Sequence, residues 1–119
     1  MNYQNVITEE KIREAVNRIV EKTNPQKIII FGSYAVDDFD KYSDLDLLIV
    51  KETDLPSHRR GRKILKELRG LKLPVDIVVY TPKEIKEWKE EKHSFISKIL
   101  TEGKVIYDRE EEEINTTMV

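Results

Sequence analysis

Two short motifs in the first half of the chain carry residue types that can do chemistry. Gly32-Ser33 follows the apolar run KIIIF (Lys27 to Phe31), and after ten intervening residues Asp44-x-Asp46 opens a second run, DLLIV (Asp46 to Val50). Glycine lets an anion approach the backbone, and the amides of such a turn, with the Ser33 hydroxyl, can donate hydrogen bonds to phosphate oxygens. Residues i and i+2 of a strand point to one face, so Asp44 and Asp46 project together while Leu45 and Leu47 point the other way. Two carboxylates so placed repel each other unless a cation or a proton intervenes. A third acid, Asp76, sits early in another apolar run, PVDIVVY (Pro74 to Tyr80), and meets the other two at one sheet edge if the strands are neighbours. An all-oxygen cluster of this kind suits Mg²⁺ or Mn²⁺, hard cations that take one or two carboxylates and leave positions for substrate phosphates. Phosphate cradle on one side and metal on the other is a phosphoryl-transfer arrangement, in which two ions about 4 Å apart can stabilise the attacking oxygen and the leaving pyrophosphate together.

The elements that must position these residues are legible from periodicity. Ile12, Ala15, Val16, Ile19 and Val20 form the stripe of an amphipathic helix over about 8–23, with Thr8 as its cap. Asn24-Pro25 ends it before the first strand, Lys27 to Phe31. Asp54-Leu55-Pro56-Ser57 leads into a second helix with apolar positions Ile64, Leu65 and Leu68, closed by Gly70. Thr81-Pro82 opens a third helix containing Ile85 and Trp88. Phe95, Ile96, Ile99 and Leu100 make a final helical stripe ending at Gly103, followed by a short strand, Val105 to Tyr107. The tail after Asp108, REEEEINTTMV, is strongly acidic and is expected to be a disordered, solvated terminus over 109–119.

Composition narrows the function. A chain of 119 residues has the size of one domain, and its charged fraction, 37%, exceeds the roughly 25% usual for soluble domains. The 21 basic and 23 acidic residues nearly cancel, so no global field draws the chain to nucleic acid or membrane. With no cysteine and two histidines, disulfides and thiolate metal sites are excluded and a histidine-rich zinc site is disfavoured. The start lacks a secretory signal and no apolar run approaches the ~20 residues of a membrane span, which leads to the expectation of a cytoplasmic protein.

Gly-Ser, ten residues, Asp-x-Asp and a later lone Asp: this combination closely resembles the DNA polymerase beta-like nucleotidyltransferase superfamily, and within it the minimal nucleotidyltransferase group, over residues 8–108. The resemblance implies an α/β (α+β) fold, a small mixed β-sheet flanked by helices, with the nucleotidyltransferase domain spanning 1–108. It implies that Gly32 and Ser33 bind the triphosphate of ATP, that Asp44 and Asp46 ligate Mg²⁺, and that Asp76 is the third acid, beside the acceptor hydroxyl, in a site for two ions. It also implies a partner, a HEPN-domain toxin that the enzyme neutralises as an antitoxin by adenylylating a tyrosine. The alternatives are a binding module that sequesters its partner without catalysis, and a small-molecule nucleotidyltransferase whose acceptor site is completed by a partner or a homo-oligomer.

Many relatives continue Gly-Ser-x-Ala with Arg-Gly, whereas this chain has Val36-Asp37. Lys41 and the cluster Arg59, Arg60 and Arg62 are the candidates to supply the missing positive charge, since arginine suits phosphate recognition. Trp88 reads as core or partner-facing, and His58 and His93 read as surface residues.

Overall fold

The computed structural model of the chain describes residues 7–91, 93–110 and 113–114. Helix α1 (Glu9–Thr23) forms where the apolar stripe places it, burying Ile12, Ala15, Val16 and Ile19. The Lys11 N–H donates to Thr8 Oγ1 at 3.2 Å, and Asn24, at φ 49° in the left-handed region, turns the chain out of the helix. Strand β1 (Lys27–Phe31) follows and ends in a 3-10 turn, Gly32–Tyr34. Strand β2 (Leu45–Val50) runs antiparallel to β1, and helix α2 (Ser57–Leu65) carries the chain across to strand β3 (Val75–Tyr80), which lies parallel to β2. A parallel pair cannot be joined by a tight hairpin, so this crossover helix is a topological requirement.

Helix α3 (Pro82–Trp88) starts with a full capping box between Thr81 and Glu84. Helix α4 (Phe95–Glu102) is capped by Ser94 and returns the chain to strand β4 (Lys104–Asp108), antiparallel to β1. A two-residue strand β5 (Glu113–Ile114) pairs with β4, so the sheet order is β3-β2-β1-β4-β5. The mixed sheet flanked by helices agrees with the fold class expected from the sequence. The acidic tail is a short strand at Glu113–Ile114, while 111, 112 and 115–119 lie outside the described residues.

Strand alternation divides the core in two. Ile28, Ile30, Leu45, Leu47 and Ile49 face α1, with Ile64 and Leu68 closing the same layer. Ile29, Leu48 and Val50 face the other way, onto Ile96 and Ile99 of α4 and Ile85 of α3. The second layer covers only part of its sheet face, and beside Phe95 at the start of α4 a cleft stays open over Asp46 and Asp76. Leu65 and Phe95, both expected on buried stripes, are 39% and 51% exposed, since each stands on the turn of its helix that faces this uncovered region. No helix among the described residues is long and apolar enough to cross a membrane.

Helix α2 lies unusually close to β3. A Cβ added at Gly61 would sit 2.7 Å from the Ile77 carbonyl oxygen, a backbone atom that cannot swing aside. In an ordinary helix interior Gly→Ala stabilises by about 1 kcal/mol. Here the sign should reverse: Gly61→Ala should lower stability by about 1–3 kcal/mol, the usual scale of overpacking. Urea unfolding of the variant beside the parent checks this, and a gain in stability would show that α2 has room to move.

Candidate active site

The ladder registers bring the two motifs and the third acid together. Across three adjacent strands Phe31 pairs with Asp46, and Asp46 pairs with Asp76, so Gly32 and both carboxylates share one end of the sheet. Asp46 has the parity of Leu48 and Val50, which places it on the α4 side of the sheet, while Leu45 and Leu47 lie in the α1 layer. Asp44, one residue before β2, is exposed, as is Asp76.

Gly32 is required here twice over. Its φ is +75°, a backbone state that side chains rarely adopt, and a Cβ on it would collide with Asp46 Oδ2. The carboxylate therefore rests against the turn that begins at Gly32. Ser33 is half-buried in that turn, and its carbonyl accepts from the Asp38 N–H at 3.0 Å. The spacer up to Asp44 is folded rather than loose: Tyr34 stacks on Phe39 at 4.3 Å between centroids, and Asp40 Oδ1 accepts from the Tyr42 N–H at 2.8 Å. Asp37 takes a left-handed φ of 57° and pairs with Lys104 at 3.8 Å. Aspartate is among the few residues that tolerate that conformation.

A cleft of about 550 Å³ opens over the acids, a size usual for small-ligand sites. Its floor is Asp46, Asp76, Ile77 and Val78; one wall is α2, through Ser57, His58, Gly61, Arg62 and Leu65; the other is Phe31 and Phe95. The arginine cluster is thereby resolved. Arg60 is bound elsewhere, donating to Glu84 Oε1 at 2.7 Å and to the Leu55 and Val79 carbonyls at 2.8 and 3.3 Å. Arg62 lines the cleft, and its side chain makes no hydrogen bond or ion pair with a described residue. Arg59 and Lys41 do not line it; Lys41 lies over the Tyr42 ring. His58 is exposed, as read from the sequence, but it also lines the cleft, a role that needed the turn of α2 toward β3 to become visible. Trp88 is half-exposed and stands outside both core clusters and the cleft.

The electrostatics of the floor are those of clustered, partly buried acids. The Asp46 carboxyl is pushed up from 3.8 to about 6, chiefly by burial, then by the charges of Asp76 and Asp44, with a hydrogen bond to the Asp76 carboxyl adding to the rise. Among the described residues no three His, Cys, Asp or Glu side chains are gathered into a ready-made metal cage. The residues nevertheless fit a hard divalent ion, because such ions are commonly held by one or two carboxylates while waters and substrate phosphates complete the shell. Asp46, with Asp44 or Asp76, supplies that donor set.

The sequence model of the family described as nucleotidyltransferase domain matches residues 9–107, and the chain belongs to that family. It is 34% identical over 103 residues to a protein of Methanocaldococcus jannaschii that carries the provisional name protein adenylyltransferase, covering 83% of this chain and 97% of the relative. A second protein of that organism with the same provisional name is 36% identical over 58 residues, 49% of this chain and 58% of the relative. Among solved structures, the fold matches a nucleotidyltransferase, provisionally so named, from Sulfolobus solfataricus, with TM-score 0.63 and 21% identity over 89% of this chain and 84% of that one. It also matches a chain from a toxin-antitoxin crystal structure with AMP-PNP, with TM-score 0.55 and 22% identity over 85% and 73% of the two chains.

The raised Asp46 group has a definite consequence for stability. Between its ordinary value of 3.8 and about 6 the folded chain holds a proton that the unfolded chain releases, so stability falls as pH rises through that window. In EDTA the melting temperature should decline across it for this reason. Asp46→Asn should remove that component and melt higher than the parent above about pH 7, where the parent carries the full repulsion. An asparagine variant that melts lower there would mean that the carboxylate is compensated within the protein.

Proposed function

We propose that this chain transfers AMP from ATP to a tyrosine hydroxyl of a partner protein, and that it acts in this way as the antitoxin of a HEPN-type toxin. The observation that carries the reading is the pairing of Asp46 with Asp76 on one rung, beside the Gly32 turn, in a chain of the nucleotidyltransferase-domain family. The similarity to proteins provisionally named protein adenylyltransferases supports a protein as acceptor, and the fold shared with a toxin-antitoxin chain supports the partner.

In this mechanism the amides that begin at Gly32 and the Ser33 hydroxyl hold the β- and γ-phosphates of ATP and orient the α-phosphorus over the acids. A divalent ion, when bound, neutralises the carboxylates and the phosphate charge that develops as pyrophosphate leaves. Asp44 and Asp46 would hold such an ion. Asp76, on the strand farther from Gly32, faces the acceptor. The acceptor oxygen attacks the α-phosphorus, an O–P bond forms, the bond to the β-phosphate oxygen breaks, and the electron pair leaves with pyrophosphate. The phenolic proton passes to Asp76, because a phenol with pKa near 10 stays protonated at neutral pH without such an acceptor.

Incubation with the cognate toxin, ATP and Mg²⁺ should raise the toxin's mass by one or more AMP units, read by intact-protein mass spectrometry. Ser33→Ala should slow the transfer. An inhibited but unmodified toxin would support the sequestering module instead. Asp76→Asn should separate binding from chemistry: ATP affinity by calorimetry should be largely retained, while the transfer rate falls by on the order of 10²-fold or more. Full transfer activity in that variant would remove Asp76 from the site.

A further inference from the structure

The aromatic wall of the cleft has no part in the transfer described above. Phe95 is the first residue of α4, and the next residue, Ile96, is almost fully buried, yet Phe95 is 51% exposed. Its position is nevertheless well fixed. The Ser97 N–H donates to Ser94 Oγ at 3.0 Å, Ser94 Oγ in turn donates to the Trp88 carbonyl at 3.1 Å, and the ring meets Phe31 edge to face at 5.6 Å and 88°. Phe31 immediately precedes the Gly32 turn and pairs with Asp46. A half-exposed ring, packed edge to face with Phe31, thus stands on the wall nearer the Gly32 turn, in a cleft whose floor is acidic.

We infer that Phe95, braced by Phe31, is the stacking platform for the base of the donor nucleotide. This rests on the nucleotidyl-transfer reading and deepens it. A nucleobase is flat and uncharged, so the acids do not repel it, and it is tethered to a triphosphate bound at the neighbouring turn. Stacking on an aromatic face tolerates any base, because every base has a π-face. The platform therefore adds affinity for nucleotides over bare polyphosphate and discriminates little between purines.

Calorimetry with ATP and with inorganic tripolyphosphate, both in excess Mg²⁺, isolates the contribution of the base. The parent should bind ATP more tightly than tripolyphosphate. Phe95→Ala should weaken ATP by about tenfold, the usual effect of losing one base–aromatic stack, and leave tripolyphosphate unchanged. Phe95→Trp should retain ATP affinity, and thermal melts of both variants confirm that they fold. Unaltered ATP affinity in Phe95→Ala, or equal weakening of both ligands, overturns the platform and leaves Phe95 to the partner surface or to structure. Equal affinity of the parent for ATP and tripolyphosphate also overturns it while leaving the transfer reading intact. A parent that binds neither ligand brings down the transfer reading itself.

Discussion

Asp46 and Asp76 stand on the same rung of a parallel ladder, and the repulsion between them is the interaction that the surrounding structure has to withstand. Nothing local favours it: aspartate is depleted in strands, and like charges directly opposite each other destabilise a sheet. The rest of β2 holds it in place. Leu47, Leu48, Ile49 and Val50 are all buried, alternately in the two core layers, and full burial of an aliphatic side chain contributes about 1.5–3 kcal/mol. A one-residue slip would exchange the layers for every one of these residues, so the register that opposes the two acids is fixed by the apolar positions beyond them. At Asp46, the partly buried member of the pair, burial first and the repulsion second emerge as a raised proton affinity.

A second constraint holds the wall of the cleft. The Arg60 side chain, only 10% exposed, ties the loop before α2, the backbone of β3 and the start of α3 through Leu55, Val79 and Glu84. The hydrogen bond from Arg60 is the main reason that Glu84 ionises below the ordinary carboxylate range, while the same carboxylate accepts from the Thr81 N–H to complete the cap of α3. Pairs such as Arg13 with Glu9 lie on the surface of one helix and contribute little by comparison. With α2 fixed by Arg60 and brought close by Gly61, the turn that carries His58 and Arg62 is left facing the acids.

The sequence was a good guide where one local rule acted alone. Thr8, Asn24 and Thr81 bound helices as their side chains and backbone preferences dictate, and the three main apolar runs became β1, β2 and β3 to within a residue. It was a poor guide where a stripe met the edge of its cover. Leu65 and Phe95 satisfy the helical period as well as their buried neighbours do, and only the incomplete cover of the sheet leaves them at the cleft. Arg59, Arg60 and Arg62 are one basic run in sequence but differ by 100° per residue around a helix, so one became structural, one faces the cleft and one faces neither.

By itself, then, the sequence determined the chemical inventory and its local presentation: a glycine able to take φ +75°, a hydroxyl beside it, and two acids two residues apart at the mouth of one strand. These depend on residue type and on strand periodicity, which act over a few residues. Only the tertiary structure decided that the Asp76 strand is the parallel neighbour of β2, that Asp46 touches the Gly32 turn, and that α2 and Phe95 wall the cleft. Those are contacts between segments far apart in the chain. They are set by how two apolar layers close on a five-stranded sheet, a condition on the whole molecule that no short stretch of residues encodes.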